Sequence, residues 1–534
     1  MKKFVSIMAC LLLVCFVVTA FAACSSSRVK ADELVVYNWA DYIFDEKLTD
    51  FKDYYKELTG RNIEVTYVTF DTNETMLTRL TQGDSNVDVV CPSEYAIQKL
   101  IEGNMLVPLN YFDEAKYTAD FSSSIKAGYE HNSENIETGI IEKVSGAFGS
   151  LDIQETGETV SMVDYFVPYM YGTLGILYNK YAFMDMGIYD EEIMNKANWG
   201  IFFNDDGEGN MLSPGLTGNI LMKDSIRDSY AATIFYMMER GMLDGLADEQ
   251  GVLYTDLSAG ELINAVDDQL LEIVRKVLVE QKEQLFGYEV DFGKDDLLMG
   301  NAIVDLAWSG DAMYAVEESW NDDLGELGED GKPEGDYELA YYVPHSAGNI
   351  WFDGWVVPKT YNPKHMDAIK IFINYLNSAE SAALNYLEIG YTPAIRPEVL
   401  QGDETAMQIL MEGYEYDYES DEDREAFIEE FFNYVDEIDG SNWRYPFVSA
   451  ELNADNNRNI DTLGVMRDFG SKNKDVVTAW NYARSAGVSA LPLLGWTVLA
   501  VAVALGVLFA VIGLRRWRSH SVITRASSVG QVEE

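Results

Sequence analysis

The stretch LVVYNWADY at residues 34–42 decides the fold prediction, because an apolar run leads directly into two aromatic residues and a carboxylate. The run predicts a first β-strand with Trp39, Asp41 and Tyr42 at its carboxyl end. Aromatic faces attract ammonium groups by about 0.5–2 kcal/mol per contact, and a carboxylate adds a charge-assisted hydrogen bond. The pattern is typical of a site for an organic cation. It is also typical of two core aromatic residues followed by an aspartate that caps a helix.

Strands and helices alternate after this stretch. Helices are predicted at 44–58, 74–80 (with Asn73 as its cap) and 94–102, and strands at 34–37, 63–70 and 87–90. Such alternation predicts an α/β fold with a mainly parallel sheet and right-handed crossovers. Ligands bind beyond the carboxyl ends of the strands in sheets of this kind. The cation site is therefore expected along that edge.

The same alternation resumes in the second half of the chain. Strands are predicted at 219–222, 302–308, 339–343 and 355–357, and helices up to 238, at 368–376 and at 382–386. Polar stretches at about 111–160, 202–215, 321–337 and 414–440 interrupt the pattern as surface insertions. Two sheets built from interleaved segments predict two lobes, with a ligand site in the cleft between them.

Both ends of the chain predict export and anchoring. Residues 1–23 read as a signal peptide, and the small residues before Cys24 resemble a bacterial lipoprotein processing site, with ordinary signal cleavage as the alternative. Residues 491–514 carry no charge and are long enough to cross a bilayer, so a buried core helix is the weaker interpretation. Arginines open the tail at 515–534, which predicts a cytoplasmic C-terminus and an extracytoplasmic body at the cell membrane.

Charge and cysteine content exclude several classes of protein. The formal net charge of −51 over 534 residues disfavours nucleic acid as a partner and favours cations. Once Cys10 and Cys15 leave with the signal and Cys24 carries lipid, Cys91 stands alone and no disulfide framework is expected. Four scattered histidines argue against a His-based metal site. No phosphate-binding glycine loop is found, and neither a metal nor a cofactor is expected.

Seven short blocks of this sequence, taken in order, resemble the spermidine/putrescine-binding proteins, which are the extracytoplasmic receptors of polyamine ABC transporters. The blocks are YNWADY (37–42), NETM (73–76), DVVCPSEY (88–95), VPYMYG (167–172), WSGD (308–311), WFD (351–353) and GYTP (390–393). They are dispersed over about 34–395, with insertions between them.

The resemblance implies the two-lobed periplasmic-binding-protein α/β fold (type II-like), with a polyamine held in the cleft. Lobe 1 is expected to contain 34–172, with 351–395 returning to it. Lobe 2 is expected to contain 173–350, with about 396–485 returning to it. The expected function is a receptor, not an enzyme, that delivers spermidine or putrescine to the permease subunits of an ABC transporter.

The resemblance also implies the residues that bind the ligand in the first lobe. Trp39 and Tyr42 match an aromatic pair that flanks the polyamine, and Asp41 stands between them where the family commonly has Glu. The end of the third strand supplies Ser93 and Tyr95.

Further ligand-binding residues are implied later in the chain. The family's acidic pair for an inner amine falls in 224–228, where Ser225 aligns with the first acid and Asp228 with the second. The remaining matches are the box-forming tryptophans, the carboxylate for a terminal amine and a later tyrosine: Trp308, Trp351, Asp353 and Tyr391.

Other functions stay open at this point. A receptor of the same fold could bind ferric ion, an amino acid or an opine, although tryptophans in the cleft argue against ferric ion. An exported hydrolase would use two carboxylates, but acids are too abundant here for a pair to be informative. A surface sensor is a third alternative, because the apolar segment 491–514 follows the receptor domain here, whereas most relatives end with that domain.

Overall fold

The computed structural model describes residues 31–82, 86–189, 198–325, 327, 332–414, 416, 420–433 and 463–486. The strands in these segments are β1 (Asp32–Trp39), β2 (Ile63–Phe70), β3 (Val89–Val90), β4 (Leu106–Val107), β5 (Ser150–Asp152), β6 (Thr159–Ser161), β7 (Val167–Asn179), β8 (Ile220–Lys223), β9 (Leu285–Glu289), β10 (Val304–Trp308), β11 (Trp320–Asn321), β12 (Asp336–Tyr337), β13 (Leu339–Tyr342), β14 (Gly348–Trp355), β15 (Val357–Pro358), β16 (Thr392–Pro393) and β17 (Leu463–Gly464).

The α-helices alternate with these strands. They are α1 (Asp45–Thr59), α2 (Asn73–Thr81), α3 (Glu94–Glu102), α4 (Glu114–Tyr117), α5 (Ser123–Gly128), α6 (Thr138–Phe148), α7 (Lys180–Met186), α8 (Ile226–Glu239), α9 (Ala259–Leu262), α10 (Asp268–Gln281), α11 (Gly293–Leu298), α12 (Ser309–Glu318), α13 (Met366–Leu376), α14 (Ala379–Ile389), α15 (Pro397–Gly402), α16 (Glu404–Gly413), α17 (Asp421–Phe431) and α18 (Asn473–Ser485).

The first sheet is parallel, with β1 between β2 and β3. Helices α1, α2 and α3 follow these strands, as the alternation predicts. The cap of α2 differs from the prediction: the Thr72 side chain accepts the hydrogen bond of Thr75 N. Asn73 lies inside the first turn, and its side chain instead bonds Ser93. Because the Asn73 side chain is bonded to Ser93, the Thr72 side chain caps α2 instead.

The second sheet has the order β17-β14-β7-β10-β8-β9, with the neighbours β8, β9 and β10 parallel. Strand β7 is thirteen residues long, and all but its last residue are buried. Strand β14 pairs with it in the antiparallel sense. The predicted strand at 355–357 was placed too late, because pairing with β7 extends the strand back to Gly348. Trp351 and Asp353 therefore lie within β14 instead of in a loop before it.

Residues along β7, and along β14 with the residue before it, pack in different hydrophobic cores. Tyr171 packs in a core with residues of the first sheet, whereas Leu174 packs in the core of the second sheet. The same change occurs between Ala347 and Ile350. Strands β7 and β14 thus connect two hydrophobic cores.

The prediction that about 396–485 returns to lobe 2 is wrong for its first part. Helices α15, α16 and α17 bury apolar residues such as Leu400, Leu410 and Phe431 in the core that contains β1. Only the described end of this segment reaches the second core, where Trp480 of α18 packs edge-on against Tyr288. The apolar face of α16 packs with α14, which explains why the chain stays with the first sheet.

The predicted anchors lie outside the described residues. This applies to the signal at 1–23, to Cys24, to the apolar segment 491–514 and to the tail at 515–534. Among the residues that the structure does describe, no helix is long and apolar enough to cross a membrane.

Candidate functional site

An open cavity with about 870 Å³ of empty space lies where the ends of the two sheets meet. All eleven residues that the resemblance implies as ligand-binding line this cavity: Trp39, Asp41, Tyr42, Ser93, Tyr95, Ser225, Asp228, Trp308, Trp351, Asp353 and Tyr391. They come from segments more than 350 residues apart in the chain. The structure therefore brings the predicted set together in one place.

The end of β1 supplies one wall of the cavity. Tyr42 is buried, and Trp39 is half-buried with no hydrogen-bond partner for its indole N–H among the described residues. Asp41 is exposed and has a positive φ of 46°, a strained backbone that Asp tolerates better than most residues. The capping alternative for Asp41 is wrong, because Phe44 is the N-cap of α1 and no side chain caps it. The Asp41 carboxylate is thus left to face the cavity.

Asp353 is the central carboxyl group of the site. Its Oδ2 accepts a hydrogen bond from the Tyr42 hydroxyl at 2.9 Å, while its Oδ1 is buried without a partner among the described residues. Burial raises the pKa of Asp353 to about 7. A buried, half-ionised carboxylate with a free oxygen is costly to maintain. An ammonium group in the cavity would satisfy that oxygen and favour the charged form.

Aromatic rings pack together in the part of the cavity that contains Asp353. The ring of Tyr391 lies 4.9 Å from that of Tyr42 and 5.8 Å from that of Trp351, measured between centroids. Two glycines make this arrangement possible. A Cβ on Gly172 would lie 2.7 Å from the Trp351 ring, and one on Gly310 would lie 2.3 Å from the Tyr391 ring.

The start of α3 adds polar groups to the same wall. Ser93 donates its backbone N–H to Asn73 Oδ1 at 3.2 Å and accepts a hydrogen bond from Asn73 Nδ2 at 3.0 Å. The Tyr95 hydroxyl donates to Glu74 Oε1 at 3.3 Å. Burial raises the pKa of Glu74. These bonds hold Ser93 and Tyr95 in fixed orientations towards the cavity.

Glu94 is fully buried between α3 and β14. Its Oε2 accepts the backbone N–H of Phe352 at 2.9 Å, whereas its Oε1 has no partner among the described residues. Burial raises the pKa of Glu94 to about 8. Glu94 is therefore mostly protonated at neutral pH in the empty cavity, and it ties β14 to α3.

The segment 224–228 places its two acidic residues in different surroundings. Asp224 does not line the cavity; it forms an ion pair with Arg484 at 2.7 Å. Ser225 is the N-cap of α8. Asp228 is buried, its Oδ1 lies 3.5 Å from the indole nitrogen of Trp308, and burial raises its pKa. Asp228 is therefore the carboxyl group of this segment that lines the cavity.

Trp308 forms the opposite aromatic wall and rests on a buried charge cluster. The ammonium of Lys223 lies 4.3 Å from the Trp308 ring centroid and 2.5 Å from Glu289 Oε1. Burial opposes the charge of Lys223, but Glu289 and neighbouring carboxyl groups raise its pKa overall. The cluster fixes one face of the indole by a cation–π contact. Trp308 is thus held in place before any ligand arrives.

Several functional residues escaped the sequence reasoning. Glu74, Glu94 and Asp311 lie inside the quoted sequence blocks, so those blocks contained a signal for them. Asp291 and Lys294 follow β9 in a stretch with no motif. Met466 reaches the cavity from the distant segment that contains β17. Nothing in the local sequence could have placed these last three residues at the site.

Carboxyl groups greatly outnumber basic groups in the lining of the cavity. Its described lining contains eight carboxyl groups, from Asp and Glu, against the single ammonium of Lys294. Six aromatic side chains, three Trp and three Tyr, form its walls. Apolar walls with dispersed carboxyl groups suit a flexible organic cation, whose methylenes and amines need different partners. An anionic solute would be repelled.

An α/β chain with two sheets and an open, polar and aromatic cavity where they meet belongs to the class of solute receptors. The family described as bacterial extracellular solute-binding protein matches residues 51–413. Since this range covers more than half of the chain, the protein belongs to that family.

Individual relatives agree with the family match. The putrescine-binding periplasmic protein SpuD of Pseudomonas aeruginosa is 24% identical over 354 residues, which cover 66% of this chain and 75% of SpuD. The putrescine-binding periplasmic protein PotF of Escherichia coli is 21% identical over 363 residues, which cover 67% of this chain and 77% of PotF. The resemblance to spermidine/putrescine-binding proteins is thereby confirmed.

A solved structure agrees with the predicted fold. A Listeria monocytogenes protein provisionally assigned as a spermidine/putrescine ABC transporter matches with a TM-score of 0.52 and 23% identity, and the match covers 85% of this chain and 98% of that one. The periplasmic-binding-protein α/β fold is therefore confirmed.

Proposed function

We propose that this protein captures polyamines of the spermidine and putrescine type in the cavity and delivers them to the permease of an ABC transporter. One observation carries the proposal. The Asp353 carboxyl group is buried, its Oδ1 has no hydrogen-bond partner among the described residues, and it lines the same cavity as the rings of Tyr42, Trp351 and Tyr391. A primary ammonium would give the carboxyl group a charge-assisted hydrogen bond, and its methylene chain would give the aromatic rings apolar contact.

The distribution of carboxyl groups supports a ligand with more than one amine. Asp353 lies on β14 in one wall, whereas Asp228 lies on α8 beside Trp308. A monoamine would satisfy one of these groups and leave the other buried and unpaired. A diamine or triamine places an ammonium on each, with its methylenes along Trp308 and Trp351. The names of the relatives SpuD and PotF, which are putrescine-binding proteins, agree with this ligand class.

Ferric ion, the main rival among solutes, fits less well. Ferric receptors favour tyrosinates with carboxylate or histidine ligands. Burial raises the pKa values of Tyr42 and Tyr391 well above the usual value, and among the described residues no group of three or more His, Cys, Asp or Glu side chains could hold a metal ion. A polyamine instead needs these hydroxyls neutral, as they are in the hydrogen bond from Tyr42 to Asp353.

Calorimetry on the purified full chain tests the proposal. The titrants are spermidine, 1,4-diaminobutane, 1-aminobutane, ferric citrate, an amino acid and maltose. We expect saturable binding of spermidine or 1,4-diaminobutane at micromolar affinity or better, about −8 kcal/mol. We expect 1-aminobutane to bind far more weakly. Saturable binding of ferric ion or sugar, with no heat from any polyamine, would overturn the proposal.

We infer that the ligand draws two lobes together around the cavity. The proposed lobes contain 34–172 with 351–395 and 173–350, and the chain crosses between them in β7 and β14. Closure around the ligand is the usual behaviour of this architecture. Small-angle scattering should show a smaller radius of gyration with saturating polyamine, and an unchanged radius contradicts closure.

We also infer that the receptor body is extracytoplasmic and anchored at both ends, by lipid on Cys24 and by a membrane helix at 491–514. The support is the uncharged length of that segment and the arginines that follow it. Cys24→Ser alone should leave the protein in the membrane fraction, and removal of 491–534 as well should release it. Release by Cys24→Ser alone contradicts the second anchor.

A further inference from the structure

Lys294 carries the single ammonium among the described residues that line the cavity. It lies in the first turn of α11, and its Nζ is 2.8 Å from Asp311 Oδ1. The Asp311 side chain is almost fully buried, and that of Lys294 is one-fifth exposed. The ammonium also lies 5.7 Å from the centroid of the Tyr314 ring. The protein thus places an alkyl ammonium on a carboxylate beside an aromatic ring, inside its own ligand cavity.

The position of Lys294 is built firmly into the fold. The backbone N–H of Gly293, the preceding residue, donates to Glu289 Oε2 at 2.8 Å. A Cβ on Gly293 would lie 2.2 Å from Asp305 Oδ2, so only glycine fits this turn. Glu289 and Asp305 belong to the buried cluster beneath Trp308. The start of α11 is therefore anchored to the same cluster that holds the aromatic wall.

We propose that Lys294 is a specificity-determining residue: its ammonium occupies Asp311 as a built-in substitute for a ligand amine, so the cavity favours ligands with two amines over ligands with three. This inference rests on the proposed function. A third ligand ammonium at this end would find Asp311 occupied and would meet the like charge of Lys294. Two amines can still reach Asp353 and Asp228 without displacing Lys294.

The surroundings of Lys294 exclude the opposite role, recognition of a ligand carboxylate. Asp311 and Asp41 act on its ammonium, and Asp291 lies in the same cavity lining. Burial and the nearby Lys223 oppose the charge of Lys294, but Asp311, and after it Asp41, raise its pKa overall. Burial and the neighbouring Asp311 raise the pKa of Asp291 to about 6. A carboxylate brought into this group would add a further negative charge to an end that is already net negative.

The test compares the affinities for spermidine and for 1,4-diaminobutane by calorimetry on the purified full chain. Lys294→Met removes the ammonium and keeps the apolar stem. It should raise the ratio of spermidine affinity to diamine affinity by about tenfold, because the freed Asp311 gains a charge-assisted bond to the third amine. The double variant Lys294→Met/Asp311→Asn should return the ratio to near the wild-type value.

Lys180→Met is the matched control. Lys180 forms an ion pair of similar length, 2.7 Å, with Asp336 and is similarly buried, but it lies outside the cavity. The control should leave the affinity ratio unchanged. If Lys294→Met does not fold, Lys294→Gln, which also removes the charge, provides the same comparison.

Two results would overturn the inference: an unchanged ratio in a folded Lys294 variant, or an equal loss of affinity for both amines. These results differ from a failure of the proposed function. That failure would appear in the wild-type protein, as absence of binding of either amine.

Discussion

Asp353→Asn should weaken ligand binding strongly without lowering the stability of the empty protein. Burial raises the pKa of Asp353 to about 7, so the empty protein gains little from its charge at neutral pH. The amide has the same shape and can still accept a hydrogen bond from the Tyr42 hydroxyl. We therefore expect the thermal unfolding midpoint at pH 7 to be unchanged or higher.

The effect of Asp353→Asn on binding should be large. Removing one partner of a buried charge pair costs roughly 2–5 kcal/mol. This corresponds to a loss of affinity between about 30-fold and several-thousand-fold. Calorimetry with 1,4-diaminobutane measures the loss, and differential scanning calorimetry of the empty protein measures the midpoint.

Asp224→Asn is the matched control for this change. Asp224 is also a partly buried aspartate, and burial raises its pKa, but it pairs with Arg484 outside the cavity. The control should keep wild-type affinity. The reasoning is refuted if folded Asp353→Asn binds the diamine as tightly as the wild type, or if Asp224→Asn loses as much affinity.

Three further predictions concern the same cavity. Between about pH 4 and pH 8 the native protein holds more protons on Asp353 and Glu94 than the unfolded chain does, since burial raises their pKa values to about 7 and about 8. Their contribution to the free energy of unfolding should therefore fall as pH rises, while polyamine affinity rises. Gly310→Ala should cost about 1–3 kcal/mol of stability by overpacking, because its Cβ would overlap the Tyr391 ring, and should lower the unfolding midpoint. Trp308→Ala should weaken polyamine binding at least tenfold, because it removes one wall of the cavity. A tenfold loss of affinity is roughly 1.4 kcal/mol of binding free energy.

Each of these predictions has its own check. The first is checked by the difference in free energy of unfolding between the wild type and Asp353→Asn/Glu94→Gln, followed over pH; it is contradicted if this difference rises with pH in parallel with polyamine affinity. A wild-type unfolding midpoint for Gly310→Ala contradicts the second. Trp320→Ala is the control for the third, because Trp320 is half exposed and outside the cavity. Equal affinities for the two tryptophan variants would show that Trp308 is not a wall of the site.

The sequence predicted well those elements whose pattern is local. Strand β2 and helix α3 have the predicted bounds, Ile63–Phe70 and Glu94–Glu102, because each has a clear hydrophobic period between polar residues. Strand β7 was missed. It is buried on both faces and shows no alternation, and it contains glycines such as Gly175, whose Cβ would lie 2.6 Å from the Tyr341 hydroxyl. Glycine is needed there because of a close tertiary contact, which the local sequence does not reveal.

The same distinction applies to the site. Residues at the ends of predicted strands, such as Asp41 and Ser93, were expected at the cavity because parallel strands align their carboxyl ends. Asp291 and Lys294 follow β9, a strand that the periodicity did not indicate. Their place depends on the pairing of β9 with β8, which is a long-range contact. The packing of α16 on α14 is likewise tertiary, and for this reason the boundary near 396 was wrong.

A crystal structure of the full chain grown with 1,4-diaminobutane tests the central claim most directly. The account predicts one ligand ammonium within hydrogen-bond distance of Asp353 Oδ1, the oxygen that lacks a partner among the described residues. It places the second ammonium near Asp228 and the methylenes between Trp308 and Trp351, with Lys294 still paired to Asp311. A diamine bound elsewhere, or a cavity that stays empty at saturating diamine, would contradict the account.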